Sequence, residues 1–178
     1  MGGEIDRNKL KHSEIIKRQM HLNNLHFSYF NIMKVQKKPL YDLIICIDVL
    51  EHIDRYEVVL KNFHTLLQKK GHVYIHVPQP NQKRIFSSFK TWHHLDHVRE
   101  GIAKKTLENR LKNLGFQIII SQETSGFFGK ITWEINHITL SRSFLLAGMI
   151  FPLLYLVAAL DLFTKNKDGL GIAILAQK

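Results

Sequence analysis

The stretch that decides the fold is residues 41–53, which read YDLIICIDVLEHI. The apolar run at 43–47 is continuous rather than alternating, which predicts a strand buried on both faces of a parallel sheet. Asp48, Glu51 and His52 follow it closely. Because ligands of open α/β sheets bind beyond the carboxyl ends of the strands, this short segment is the predicted centre of a functional site.

The sequence that follows predicts further alternating helices and strands. Apolar residues from Tyr56 to Leu67 recur at spacings of three and four, which predicts a helix that ends at Gly71, with Lys69 and Lys70 in its last turn. The remaining elements are strands at 72–77, 116–121 and 169–176 and a helix at 103–114, and the polar loop 79–96 is a candidate functional loop. This order is that of a single α/β domain with a parallel sheet.

The residues before the deciding stretch are basic. Residues 8–22 predict a helix with a solvated, positively charged face, and residues 25–30 predict a short strand. Charged residues interrupt every apolar stretch at the N-terminus, so no signal peptide is predicted there.

Composition excludes several classes of protein. The chain has 178 residues, 45% of them hydrophobic, which is not the composition of a disordered or fibrous protein. Lys and Arg number 25 against 15 Asp and Glu, a net charge of +10 that favours phosphate-bearing or anionic-lipid partners. Cys46 is the single cysteine, so an intramolecular disulfide is impossible, and we expect a buried thiol in a reducing cytosol.

An uncharged run of 17 residues, 144–160, lies near the C-terminus and is flanked by Arg142, Lys165 and Lys167. A membrane span needs about 20 apolar residues, and Pro152 falls within the run. We therefore favour a buried or interfacial helix pair that is kinked near Pro152 over a membrane span.

The cluster that follows the first buried strand has two interpretations. On a helical or turn-like path Asp48, Glu51 and His52 face one way, where they could bind a hard divalent ion or place a general base. Alternatively, Glu51 caps the following helix and His52 packs against the sheet.

The same residues carry a family resemblance. The series YDLIICIDVLEHI, then LLQKKG at 66–71 and VYIHVP at 73–78, then HVRE at 97–100 and GF at 115–116, resembles class I S-adenosylmethionine-dependent methyltransferases. The resemblance implies a Rossmann-like sheet, mostly parallel with an antiparallel last strand. It also implies one partial methyltransferase domain over 1–178, with a hydrophobic helical insertion at 124–166.

The resemblance also implies a cofactor site. Glu4 corresponds to the acidic residue that holds the cofactor's ribose hydroxyls, with Asp6 as the fallback, and Asn31 stands where the family usually has an aspartate near the adenine. The cofactor contacts expected for S-adenosyl-L-methionine are thus Glu4, Asp6, Asn31, Ile32, Asp48 and Val49.

One departure from the family is large. Its first strand and glycine-rich loop should lie about twenty residues before Glu4, and the chain has Met1-Gly2-Gly3 there. We hypothesise that the chain is a fragment or truncated product that needs its N-terminal part to bind cofactor. Loss of a central strand would expose strand edges and apolar helix faces.

A narrower resemblance concerns metal. Asp48-x-x-Glu51-His52 is similar to the Glu-x-x-Glu-His of ubiquinone-biosynthesis and small-RNA O-methyltransferases, where a downstream histidine completes a divalent-ion site. His97, or less favourably His94, would take that place around an ion such as Mg²⁺, which would lower the pKa of a substrate hydroxyl.

For the reaction itself, His52 and His97 are the candidate bases for a substrate hydroxyl. The apolar insertion favours O-methylation of a small or lipid-linked metabolite, with peripheral membrane contact through 144–163 at the cytoplasmic, inner face of the membrane. Nucleic acid is disfavoured because aromatic and basic residues do not interleave as in a stacking platform. The alternative is a non-catalytic methyltransferase remnant that acts as a membrane-associated interaction module, and the sequence leaves the oligomeric state open.

Overall fold

A computed structural model describes residues 1–35, 39–89 and 98–178. The chain divides into two compact units, Met1–Lys38 and Pro39–Lys178. In the first unit, β1 (Gly2–Glu4) pairs in parallel with β2 (Phe27–Tyr29), and α1 (Arg7–Gln19) connects them. The predicted basic helix and short strand are both confirmed, the helix one residue earlier at its start and three residues shorter at its end, and the strand with narrower bounds.

The second unit is built on a four-stranded mixed sheet in the order β3-β4-β6-β5. Its elements along the chain are β3 (Tyr41–Ile47), α2 (Tyr56–Leu66), β4 (Leu67–Pro78), α3 (Lys104–Asn113), β5 (Gln117–Thr124), α4 (Phe127–Arg142), α5 (Phe144–Ala159) and β6 (Gly171–Gln177). β3 and β4 are parallel, and β6 is antiparallel to both of its neighbours. The antiparallel last strand is therefore confirmed.

The core of the second unit forms where one face of the sheet meets helices. Alternate residues of β4 and β6 are fully buried together with one face of α2 and α3, a set that includes Val73, Ile75, Val77, Ile172, Ile174, Val59, Leu60, Leu107 and Leu111. The helical spacing of these apolar residues explains why α2 and α3 form and which face they bury. Gly115 ends α3 with φ +91°, a conformation that favours glycine.

Two details of the sequence prediction are wrong. β3 is an edge strand, and Leu43, Ile45 and Ile47 on it are all more than half exposed, so the strand is not buried on both faces. The helix predicted to end at Gly71 ends at Leu66, and the residues expected in its last turn already belong to β4. The apolar pair Leu66–Leu67 fits a helix end and a strand start equally well, so the pattern gave no boundary.

The hydrophobic insertion is a helical hairpin of α4 and α5. The break between the two helices falls at Ser143, while Pro152 lies inside α5, so the predicted break near Pro152 is displaced. Phe144–Phe163 is long and apolar enough to cross a membrane by length and composition. Most of its large side chains are exposed, which rules out the interpretation of a buried helix.

Candidate functional site

The second unit gathers polar side chains at the carboxyl ends of its parallel strands. Asp48 follows β3, and its φ of +49° places it in the left-handed region that Asp tolerates better than most residues. Its backbone N–H donates to the carbonyl of His76 at 3.0 Å. This turn points the chain out of the sheet and brings Asp48 beside the end of β4.

A hydrogen-bonded chain of three side chains crosses this edge. The Nδ1 atom of His76 lies 2.7 Å from Oδ1 of Asp48, and its Nε2 atom lies 2.9 Å from Oγ1 of Thr124 at the end of β5. An ionised carboxylate only accepts hydrogen bonds, so Nδ1 carries the proton, and in the neutral ring Nε2 accepts from the Thr124 hydroxyl. The imidazole is thus held in one tautomer and one orientation.

Gly171 makes this chain possible. The first residue of β6 lies between β4 and β5, pairing with Pro78 on one side and Thr124 on the other. A Cβ atom there would lie 2.6 Å from Nε2 of His76 and 2.8 Å from Oγ1 of Thr124. The absence of a side chain is what lets the two neighbours meet across the strand.

The segment after Asp48 is a single 3-10 turn, Leu50–His52, which Arg99 holds in place. The Arg99 guanidinium donates to the carbonyl oxygens of Leu50 at 2.9 Å, Ile53 at 2.6 Å and Asp54 at 2.7 Å. It also stacks over the Tyr56 ring, 4.9 Å from its centroid. A planar guanidinium with several fixed donors suits this task better than an ammonium.

Glu51 and His52 take positions that neither interpretation of the cluster predicted. The carboxylate of Glu51 is buried, and among the described residues its oxygens have no hydrogen-bond partner. Burial raises the pKa of this carboxyl, and the nearby Asp48 charge adds to the rise. Glu51 therefore does not cap α2, and His52 is exposed rather than packed against the sheet.

The metal site finds no support among the described residues. No group of three His, Cys, Asp or Glu side chains in 1–35, 39–89 and 98–178 is placed to hold a metal ion. Asp48 is hydrogen-bonded to His76, and Glu51 is buried with a raised pKa. His94 and His97 lie outside the described residues, so the four-residue metal site stays a prediction.

The predicted cofactor residues of the first unit lie at one edge of its parallel strand pair. Glu4 is the last residue of β1, and the Phe30 N–H donates to its carbonyl at 3.0 Å, which brings the segment after β2 alongside. The Oε1 atom of Glu4 accepts from the N–H groups of Ile5 at 2.7 Å and Asp6 at 2.8 Å. Asn31 follows β2, and its Oδ1 accepts from the Met33 N–H at 2.9 Å.

Asp6 has a different role from Glu4. Its Oδ1 accepts from the N–H of Asn8 at 2.7 Å and of Lys9 at 3.3 Å, so it is the N-cap of α1. These backbone hydrogen bonds lower the pKa of the Asp6 carboxyl. The Asp6 carboxylate is thus used as a helix cap, whereas Glu4 lies at the end of a strand. Of the two acidic candidates for the ribose, Glu4 is therefore the better placed.

Four residues of the site were not predicted from the sequence: His76, Thr124, Gly171 and Arg99. His76 and Thr124 are 48 residues apart and do not share an element. The available signal was weak: His76 falls near the end of the predicted strand 72–77, Thr124 lies three residues after the predicted strand 116–121, and Gly171 is the third residue of the predicted strand 169–176. The strand order, which no local pattern contains, is what brings them together.

Comparison with known proteins gives a consistent result. A methyltransferase domain model matches residues 4–121, well over half of the chain. No curated protein matches the chain in sequence. Among solved structures, the chain is similar to a sarcosine dimethylglycine methyltransferase from Galdieria sulphuraria, with a TM-score of 0.65 and 15% identity over 99% of this chain and 68% of that one.

Two further structures show how far the likeness reaches. A phosphoethanolamine N-methyltransferase of Haemonchus contortus, in complex with S-adenosyl-L-methionine, has a TM-score of 0.64 at 17% identity, and 99% of this chain spans 42% of it. The [4+2]-cyclase SpnF has a TM-score of 0.65 at 13% identity, and the same share of this chain spans 64% of it. At such identities the likeness establishes the fold, and a cyclase is among the proteins that share it.

Proposed function

Because the chain belongs to the methyltransferase domain family, we propose that it acts as an S-adenosylmethionine-dependent methyltransferase on a small or lipid-linked hydroxyl compound. The observation that carries this proposal is the position of Glu4 and Asn31, which together occupy the carboxyl-end edge of β1 and β2. A carboxylate and an amide at one strand edge suit a ribose and a purine amino group.

The cofactor would supply an electrophilic methyl group on a sulfonium. Glu4 would accept hydrogen bonds from the ribose hydroxyls, and its bonds to Ile5 and Asp6 already fix the carboxylate in place. Asn31 and Ile32 would contact the adenine. Asp48 and Val49, at the carboxyl end of β3, are the remaining proposed contacts.

Methyl transfer is an in-line displacement, so the protein mainly provides alignment and a base for the acceptor. His52, exposed on the Arg99-held turn, and His97 are the proposed bases. His76 has both ring nitrogens engaged and so serves as a positioning residue that orients Asp48.

The proposed nature of the acceptor is supported by where the insertion leaves and rejoins the sheet. The hairpin begins after β5 and returns to β6 at Gly171, so both of its connections lie at the edge that carries His76 and Thr124. An apolar hairpin there favours an acceptor with an apolar part. The net charge of +10 favours the anionic, cytoplasmic face of a membrane as the place where the protein binds this acceptor.

A second candidate function is a non-catalytic methyltransferase remnant that acts as a membrane-associated interaction module. The exposed apolar residues of β3 favour it, since Leu43, Ile45 and Ile47 lie uncovered on an edge strand. Strands of parallel sheets are normally covered on both faces.

A labelling experiment separates the two functions. The chain is incubated with methyl-tritiated S-adenosylmethionine at about 1 mM, which fills even a weak site, together with a cell extract that is then partitioned between water and organic solvent. Alkali-stable label in the organic phase, lost in His52→Gln and kept in His12→Gln on α1, is the expected result. Transferred label that does not exceed the background of extract without the chain, in either phase, would support the remnant. A labelled product other than the methyl donor that is found in the water phase alone would overturn the lipid-linked acceptor.

A further inference from the structure

The hairpin presents a large apolar surface that the fold does not cover. We define the apolar helix face as the exposed side chains of Phe144–Phe163. On its outer side Leu145 is 78%, Met149 79% and Leu156 65% exposed, while Ala147 is buried on the side that packs toward α4. Contiguous exposed apolar surface of this kind marks a docking site rather than a solvated helix.

Positive charge flanks this face at both ends. Arg142 precedes α5, and Lys165 and Lys167 follow the 3-10 turn Leu160–Phe163 that comes after it; all three are exposed. The acidic residue of this segment, Asp161, is buried, and it accepts hydrogen bonds from the N–H groups of Phe128 and Gly129 at the start of α4. Apolar side chains between exposed cations match an acyl-chain boundary beneath anionic headgroups.

The topology decides between a helix that spans the membrane and one that lies in it. β5 and β6 are neighbours in one sheet, and Thr124 at the end of β5 pairs with Gly171 at the start of β6. The chain therefore leaves and re-enters the sheet at the same edge. If α5 crossed a bilayer, α4 would have to cross it too, because two crossings are needed to return to the starting side.

α4 is unsuited to crossing and is fastened to the rest of its unit. Glu134 is fully buried and accepts from the N–H groups of Ile85 at 2.9 Å and Phe86 at 2.7 Å. Lys130 donates to the carbonyl of Asp168 at 2.8 Å. Charged groups at the centre of a membrane helix are costly, and here they hold α4 against the protein.

We propose that α5 is an in-plane membrane anchor that docks the protein on an anionic bilayer. The apolar helix face enters the acyl boundary, α4 backs it on the protein side, and Arg142, Lys165 and Lys167 contact the headgroups. Only the purpose of this docking, access to a lipid-linked acceptor, rests on the proposed function. The docking itself is measured without cofactor or substrate, so either proposal can fail alone.

Co-sedimentation tests docking. The chain is mixed with vesicles of phosphatidylcholine alone or with 30 mol% phosphatidylserine added (about the anionic content of a cytoplasmic leaflet), at low and high salt. We expect binding to the anionic vesicles that weakens several-fold at high salt. Met149→Glu with Leu156→Glu lowers it at least about tenfold, whereas Met20→Glu, at another exposed position on the first unit, does not.

Spin labels test the orientation. Leu145→Cys and Leu156→Cys are labelled separately, and buried Cys46 stays unlabelled. The two positions are 11 residues apart, about 16 Å along a helix at 1.5 Å per residue. An in-plane helix gives similar label depths, each about 5–10 Å into the boundary region, while a spanning helix gives depths that differ by most of that 16 Å.

Three results would overturn the proposal. The first is equal binding to neutral and anionic vesicles, and the second is a steep depth difference between the two labels. The third is a concentration-dependent dimer in sedimentation velocity that Met149→Glu dissociates while vesicles are not bound, since the face would then cover a second copy of the chain.

Discussion

At the residue scale, the site depends on one glycine without a side chain and on one left-handed backbone conformation, which together position its polar groups. His76 reaches Thr124 because Gly171 has no side chain, and Asp48 reaches His76 because its backbone adopts a left-handed turn. Both contacts fix polar groups at the edge where α/β sheets bind their ligands.

Gly171→Ala should destabilise the protein, because the new methyl group would fall within 3 Å of both His76 and Thr124. Overpacking of this kind costs about 1–3 kcal/mol, measured as a fall in the free energy of unfolding in urea. Gly148→Ala is the matched control, since nothing lies within 4 Å of its Cβ position, and it should be neutral or stabilising by up to about 1 kcal/mol. Equal effects at the two positions would argue against the hydrogen bond between His76 and Thr124 across β6.

Cys46 should be unreactive in the native protein. It is buried in β3, and burial, with smaller contributions from the charges of Glu51 and Asp48, raises the pKa of its thiol to about 12. Since the thiolate is the reactive form, we expect alkylation by iodoacetamide at pH 8 to follow unfolding. Rapid labelling of the folded chain, read by mass spectrometry, would contradict the packing of β3.

At the element scale, the turn after β3 is shaped from a distance. Arg99 lies more than 40 residues along the chain and still binds the carbonyl oxygens of Leu50, Ile53 and Asp54. The turn carries His52, so its shape decides where the proposed base stands.

Arg99→Lys should therefore loosen this turn, since an ammonium cannot reach all of these carbonyls in a plane. Hydrogen bonds from a charged donor contribute about 1.5–3 kcal/mol, and we expect a loss of that order in urea unfolding. Hydrogen exchange should also quicken at Val98 and Ile53, whose N–H groups donate to Glu51 and Leu50. Arg55→Lys, an exposed neighbour without a capping bond, should change neither measurement.

The elements show what could and could not be predicted from the sequence. Helical spacing identified α2 and α3, and the run at 43–47 identified β3, because both patterns are local. The exposure of Ile45 was not predictable, since a continuous apolar run does not say whether a strand has one neighbour or two. The run at 144–160 was likewise ambiguous until the topology placed α5 on the outside of α4.

At the scale of the whole molecule, stability should fall on acidification below pH 6.5, the usual pKa of histidine. Burial, aided by the charge of Lys178, lowers the pKa of His64 below its usual 6.5. The unfolded chain then takes up this proton first as the pH falls. The stabilisation from His64 is therefore full above pH 6.5 and is lost between 6.5 and the lower folded pKa.

His64→Gln removes this dependence. The difference in melting temperature between the native chain and the variant should be larger at pH 8 than at pH 5.5, measured by circular dichroism. A difference that is the same at both pH values would mean that His64 is as solvated in the folded chain as in the unfolded one.

The proposed cofactor contacts include residues of each unit, Glu4 and Asn31 in the first and Asp48 in the second. Whether each of them responds to the cofactor of a methyltransferase can be measured residue by residue. Amide chemical-shift mapping during titration with S-adenosylhomocysteine tests it most directly, because it detects weak as well as tight sites. Glu4→Gln, which keeps the strand, and Asp6→Asn, which keeps the cap, are the paired variants.

Chemical-shift changes should cluster at residues 4–6, 31–32 and 48–49. Glu4→Gln should weaken the binding of S-adenosylhomocysteine, and Asp6→Asn should not. Shifts confined to other residues, or none at millimolar ligand, would contradict the claim that this chain binds the methyl donor.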